Sequence, residues 1–158
     1  MRKRYVSFSL AAGSYCISVD NVMQILRREN LIQVPKAPPF VEGVLNLRGD
    51  ILPVIDLRAR LEVAPGDATG RPPGDTRKRR IIITRVGDRS YGLDVDEVRE
   101  IVEIDDDGIT TDAATMLGVR PDFVLGIARR DESVYVMLDL ARVFASSRDV
   151  SPTLPGQA

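Results

Sequence analysis

The chain has 158 residues, roughly one domain by length. Lys and Arg number 22 against 23 Asp and Glu, and 44% of residues are apolar, so the net charge is −1. That is a globular composition with a core to bury, and it argues against a protein built to coat nucleic acid or an anionic membrane. There is no His and one Cys, Cys16. Ser-His-Asp and Cys-His catalysis, His and thiolate metal sites and an intramolecular disulfide are thereby excluded.

The N-terminal segment is basic, but Ala11 to Ser14 interrupt it before a signal-peptide core forms. No run of 18 apolar residues occurs, so a cytoplasmic protein is expected. Tyr5 to Leu10 and Tyr15 to Val19 alternate apolar and polar residues and predict strands. Cys16 falls on the face opposite Tyr15, Ile17 and Val19, without a cationic partner, and reads as inert. Val22, Ile25 and Leu26 show the one-turn spacing of a helix. The stretch from Gly43 to Arg58, GVLNLRGDILPVIDLR, reads as a hairpin between apolar strands with Arg48 at a glycine-flanked tip. Pro53 in its second strand points to an edge or a bulge, because proline donates nothing to a ladder.

Residues 64–79 hold Pro, Gly and polar residues and predict a mobile loop, with the basic run Arg77 to Arg80 as its solvated flank. Ile81 to Thr84, Tyr91 to Val95 and Val134 to Leu138 predict further strands. Asp94 and Asp96 share a strand face, which admits paired-carboxylate chemistry; as the counterpart of Asp20, Asp96 reads instead as a turn cap. Asp105 to Gly108 lacks the ligand spacing of a calcium loop and reads as a solvated turn. Ala113 to Leu117 predicts a short helix, and Leu140 to Ala145 another with Asp139 as N-cap. The tail 151–158 is expected to be disordered. There is no Gly-rich phosphate loop.

An internal repeat organises these elements. Tyr15, Ile17, Val19, Asp20, Val22 and Ile25 match Tyr91, Leu93, Val95, Asp96, Val98 and Ile101 at a constant offset of 91 − 15 = 76. Phe40, Val41, Gly43, Val54, Ile55 and Asp56 match Phe123, Val124, Gly126, Met137, Leu138 and Asp139 at 123 − 40 = 83. Two copies of a strand-rich unit of about five strands suit two small barrels sharing an apolar seam. The sub-barrels are expected at roughly 13–63 and 79–138, with terminal segments exchanged or packed across the seam, inside one domain spanning 1–150. The second copy has Asp131 where the first has Arg48, so the hairpin does not require the cation to fold.

The string GVLNLRGDILPVIDLR resembles the signature of CheW-like domains. Phe8, Leu10, Tyr15, Ile17, Val19 and Val22, then Val34-Pro35, Gly92 to Val98, Phe123 to Gly126 and Leu138 to Leu140 follow in the family's order, from about Tyr5 to Phe144. The resemblance implies an all-β fold with minor α: two five-stranded SH3-like barrels side by side and a short C-terminal helix. It implies a non-enzymatic scaffold with no catalytic residues, cofactor or metal. The implied partners are a CheA-type histidine kinase, through its CheW-like regulatory domain, and the cytoplasmic tip of a methyl-accepting chemoreceptor. Neither nucleic-acid binding nor direct membrane insertion is implied; the place of action is the receptor array at the inner face of the membrane. By motif match, Val22, Ile25, Gly43 and Arg48 belong to a receptor site in the groove between the barrels. The family often carries an acidic residue where Gln24 stands; Gln24 can accept a hydrogen bond from Arg48 but cannot neutralise it. From the residues alone, a small barrel binding single-stranded nucleic acid and an enzyme using Asp94 and Asp96 stay as alternatives.

Overall fold

A computed structural model describes residues 1–11, 13–28, 31–62, 77–111 and 121–145. The expected loop as far as residue 76, the helix at 113–117 and the tail 151–158 lie outside the described residues. Eleven strands are described: β1 (Arg2–Leu10), β2 (Gly13–Ser18), β3 (Val22–Arg27), β4 (Val41–Leu47), β5 (Asp50–Asp56), β6 (Arg80–Val86), β7 (Arg89–Val95), β8 (Glu97–Asp105), β9 (Ile109–Thr110), β10 (Val124–Arg130) and β11 (Ser133–Leu138). Two one-turn helices, α1 (Leu57–Leu61) and α2 (Leu140–Val143), follow β5 and β11. Asp56 caps α1 by accepting from the N–H groups of Arg58 and Ala59, and Asp139 caps α2 by accepting from Arg142 N–H. The sequence motif announced α2 directly; α1 is its counterpart in the first copy.

The strands form two sheets, ordered β8-β1-β2-β11-β10-β9 and β3-β6-β7-β5-β4. The barrels are therefore not the spans 13–63 and 79–138. The first takes the leading hairpin of copy one with the rest of copy two, and the second is continuous from β3 to β7. The exchange follows from parallel pairing: β2 lies beside β11 and β5 beside β7, so each leading hairpin packs against the other copy's closing strands.

The repeat extends to register. Tyr5↔Ser18 in β1–β2 becomes Ile81↔Asp94 in β6–β7, and Tyr5↔Val102 in β1–β8 becomes Ile81↔Leu26 in β6–β3. The bulge between Val41 and Gly43 recurs between Val124 and Gly126. The left-handed positions recur too, Ala11 with Gly87 and Arg48 with Asp131. This two-fold correspondence lets each half be read against the other.

Strand parity sorts the core into three clusters. Tyr5, Cys16, Val102, Ala128, Tyr135 and Met137 fill the first barrel. Leu45, Leu52, Val54, Ile81 and Ile83 fill the second. The largest cluster lies between them and includes Phe8, Tyr15, Ile55, Leu57, Tyr91, Leu93, Phe123, Leu138 and Phe144. Tyr91 and Phe144 stack there at 4.0 Å between centroids. More buried apolar side chains belong to the cluster between the barrels than to either barrel interior, so the barrels depend on each other for stability.

Two local expectations are corrected. Val22, Ile25 and Leu26 are in strand β3, not a helix: Val22, Gln24 and Leu26 lean inward while Met23, Ile25 and Arg27 point out. Apolar residues on both faces mimic a helical spacing. Pro53 lies in an interior strand, not at an edge, and the β4–β5 bulge falls one pair away, opposite Val54 and Ile55; β5 takes up its register with β7 only from Val54 onward, so the missing N–H removes no bond there.

Candidate functional site

Arg48 and Gly49 are the two central residues of the β4–β5 turn, with φ of 53° and 89°. Positive φ at both positions matches the twist of antiparallel strands and defines the I′ kind of hairpin, which favours Asn and Gly. Gly49 is suited to it, and its N–H donates to Asn46 Oδ1 at 3.1 Å. Arg48 is not: an L side chain is strained in this region. Its guanidinium is exposed and makes no hydrogen bond or ion pair among the described residues. A strained, unpartnered cation at a rigid tip adds nothing to folding; such outliers concentrate at binding sites.

All the residues expected at the receptor site lie on the second barrel. Val22 and Ile25 are on β3, Gly43 is on β4, and Arg48 is on the β4–β5 turn. Val22 packs against the seam core, whereas Ile25 is 41% exposed beside exposed Met23. The strands β3 and β4 are the two ends of the strand order, and the chain after β3 returns to close the gap by pairing Ile32 with Val44. Gly43 lies under that closure. A Cβ there would stand 2.5 Å from Ile32 O, so the position needs glycine to let the backbones approach. Its counterpart Gly126 is crowded less tightly, by Ile109 Cγ2 at 2.9 Å and Thr110 O at 3.1 Å. Gln24 is half-buried on β3 opposite Ile83, and no hydrogen bond joins it to Arg48.

The Asp94 and Asp96 carboxylates do not form a catalytic pair. Asp94 is fully buried and accepts from the guanidiniums of Arg28 and Arg79, which also bond Glu42. Burial, with the Asp94 carboxylate beside it, pushes the Glu42 carboxyl up to about 8. Asp96 instead accepts Ala11 N–H at 2.7 Å and sits 3.6 Å from Arg58 Nε. Asp96 is thus a tie between hairpin and helix; Ser18, not Asp20, caps the turn in the first copy. Sequence reading missed the Arg28–Glu42–Arg79–Asp94 network, and Arg79 is part of it and not of a solvated flank. Burial pushes the Cys16 thiol up to about 12, consistent with an unreactive side chain. Among the described residues no three His, Cys, Asp or Glu are grouped to hold a metal ion. No described helix is long and apolar enough to cross a membrane.

A CheW-like domain family model matches residues 4–148. The chain belongs to the CheW-like family. It is similar to the Chemotaxis protein CheW of Treponema pallidum, 26% identical over 141 residues that cover 89% of this chain and 81% of that one. It is also similar to the Probable chemotaxis protein CheW of Rhizobium etli, 28% identical over 145 residues, covering 92% and 89%. Among solved structures, the scaffolding protein TtCheW from Thermoanaerobacter tengcongensis superposes with a TM-score of 0.79 at 34% identity, covering 91% of this chain and 88% of that one. CheW-like membership agrees with the two-barrel reading of the sheets.

Proposed function

We propose that this CheW-like chain is a chemotaxis scaffold that couples a chemoreceptor tip to a CheA-type histidine kinase within receptor arrays. The carrying observation is the family match across residues 4–148, which spans both barrels and the seam. The receptor contact is assigned to the second barrel, with Arg48 as the cation offered to the receptor and Ile25 as an exposed apolar contact. Val22 and Gly43 shape that surface from below, and Gln24 stands beside it on β3.

The aromatic residues speak against single-stranded nucleic acid. Tyr5, Phe8, Tyr15, Tyr91, Phe123, Tyr135 and Phe144 are buried, and Phe40 is covered by the Arg60 guanidinium at 4.2 Å. No aromatic platform is left for base stacking. Isothermal titration with the regulatory domain of a CheA-type kinase and, separately, with a receptor-tip fragment tests the proposal. Binding to both is expected; no heat with either partner at tens of micromolar would overturn it.

A further inference from the structure

Reading one half against the other exposes an asymmetry around the two helices. On the second barrel, Arg58 of α1 is buried, with its Nε 3.6 Å from the Asp96 carboxylate. The repeat places Ala141 of α2 at the position of Arg58 (58 + 83) and Asp20 at the position of Asp96 (96 − 76). The carboxylate is kept and the cation is gone. Asp20 is exposed, and its carboxylate has no hydrogen-bond or ion-pair partner among the described residues.

A cleft of about 360 Å³ opens at this place. Ala141, Asp20 and Asp139 line it, with Tyr5, Cys16 and Met137 among its apolar walls. Its lining differs from the equivalent place on the second barrel in a second way. Asp94 and Glu42, which knit the network on the other barrel, correspond to Ser18 and Leu125 here, and both line the cleft. Its charged lining is Lys3, Asp20 and Asp139, a balance of −1, and Asp139 is already committed to capping α2 with Arg142 Nε 4.0 Å away.

We propose that this cleft is a docking pocket for an arginine side chain presented by a partner protein. The guanidinium takes the place relative to Asp20 that Arg58 takes relative to Asp96, and the apolar walls accept its methylene stem. The chain itself states the preference, since an arginine already fills the equivalent space in the other half. Arginine suits the site because its aliphatic stem packs on apolar walls while its planar donors reach a carboxylate. The volume is at the small end of ligand cavities, right for one side chain.

The test titrates N-acetyl-arginine methylamide into the isotope-labelled full chain and follows backbone amide shifts. Saturable shifts are expected at Asp20, Leu125 and Ala141, absent with the uncharged citrulline analogue and absent in Asp20→Asn. A second arm installs the cation in cis: Ala141→Arg should fold, melt higher than wild type only when Asp20 is present, and abolish the probe's shifts. The proposal is overturned if the citrulline analogue shifts the same amides equally. It is equally overturned if Ala141→Arg binds the probe as wild type does, or if no saturable shift appears by roughly 200 mM, above the roughly 6–80 mM that a single charge-assisted contact of about 1.5–3 kcal/mol gives. Kinase and receptor binding are measured independently, so this result does not decide the scaffold assignment.

Discussion

Arg48 offers a clean separation of recognition from folding. Its φ of 53° costs about 1–2 kcal/mol relative to an ordinary backbone conformation. The side chain returns no hydrogen bond or ion pair among the described residues. Arg48→Ala keeps the strained φ and loses no contact, so stability should move by no more than about 0.5 kcal/mol. Arg48→Gly removes the strain but adds about 0.5–1 kcal/mol of chain entropy to the unfolded state. The net gain is roughly 0.5–1 kcal/mol, or about 1–4 °C in Tm for a chain of this size. Both variants should lose receptor-tip binding about tenfold or more, because truncating an arginine at an interface centre commonly costs about 2 kcal/mol. Thermal unfolding by circular dichroism and calorimetric titration with a receptor-tip fragment read the two effects. A Tm drop of several degrees in Arg48→Ala would make Arg48 a structural ion and refute the reasoning. Unchanged receptor binding would remove the turn from the site.

Gly43→Ala should destabilise by about 2–3 kcal/mol, since the new methyl meets Ile32 O at 2.5 Å, and urea unfolding checks it. Gly126→Ala should cost less, because its nearest neighbour is the movable Cγ2 of Ile109 at 2.9 Å. Arg60 lies between the rings of Phe40 and Phe123 and donates to Val143 O at 2.8 Å, so Arg60→Ala should lose about 2 kcal/mol, read from the same unfolding curves. Glu42, with its carboxyl raised to about 8, holds a proton in the folded chain that the unfolded chain releases near the ordinary value of 4.5. The stability it contributes is full below that value and is lost as pH rises towards 8; Glu42→Gln should flatten this decline in a pH series of unfolding curves.

Much of the fold was legible because it is written twice. Offsets of 76 and 83 located the paired strands, and the Asp139 cap located α2. With no His and a single Cys, composition removed Ser-His-Asp and Cys-His pairs before any fold was known. The signature string placed Arg48 at a glycine-flanked turn, where the structure has it. Strand β3 was misread because Met23 and Ile25 are apolar on its outward face, and periodicity reports an apolar face only when the other face is polar.

The sequence by itself determined the repeat, the alternation that buries one face of each strand and the turn carrying Arg48. Tertiary structure alone decided which copy's strands close which barrel, because parallel pairing between distant strands leaves no local signature. It alone joined Arg28, Glu42, Arg79 and Asp94, which come from four separate segments and meet only when the second barrel closes. It also gave the same glycine a different meaning. Gly43 reads as part of a recognition motif in the string, yet its missing side chain is first a packing requirement, set by a carbonyl from the segment that closes the barrel.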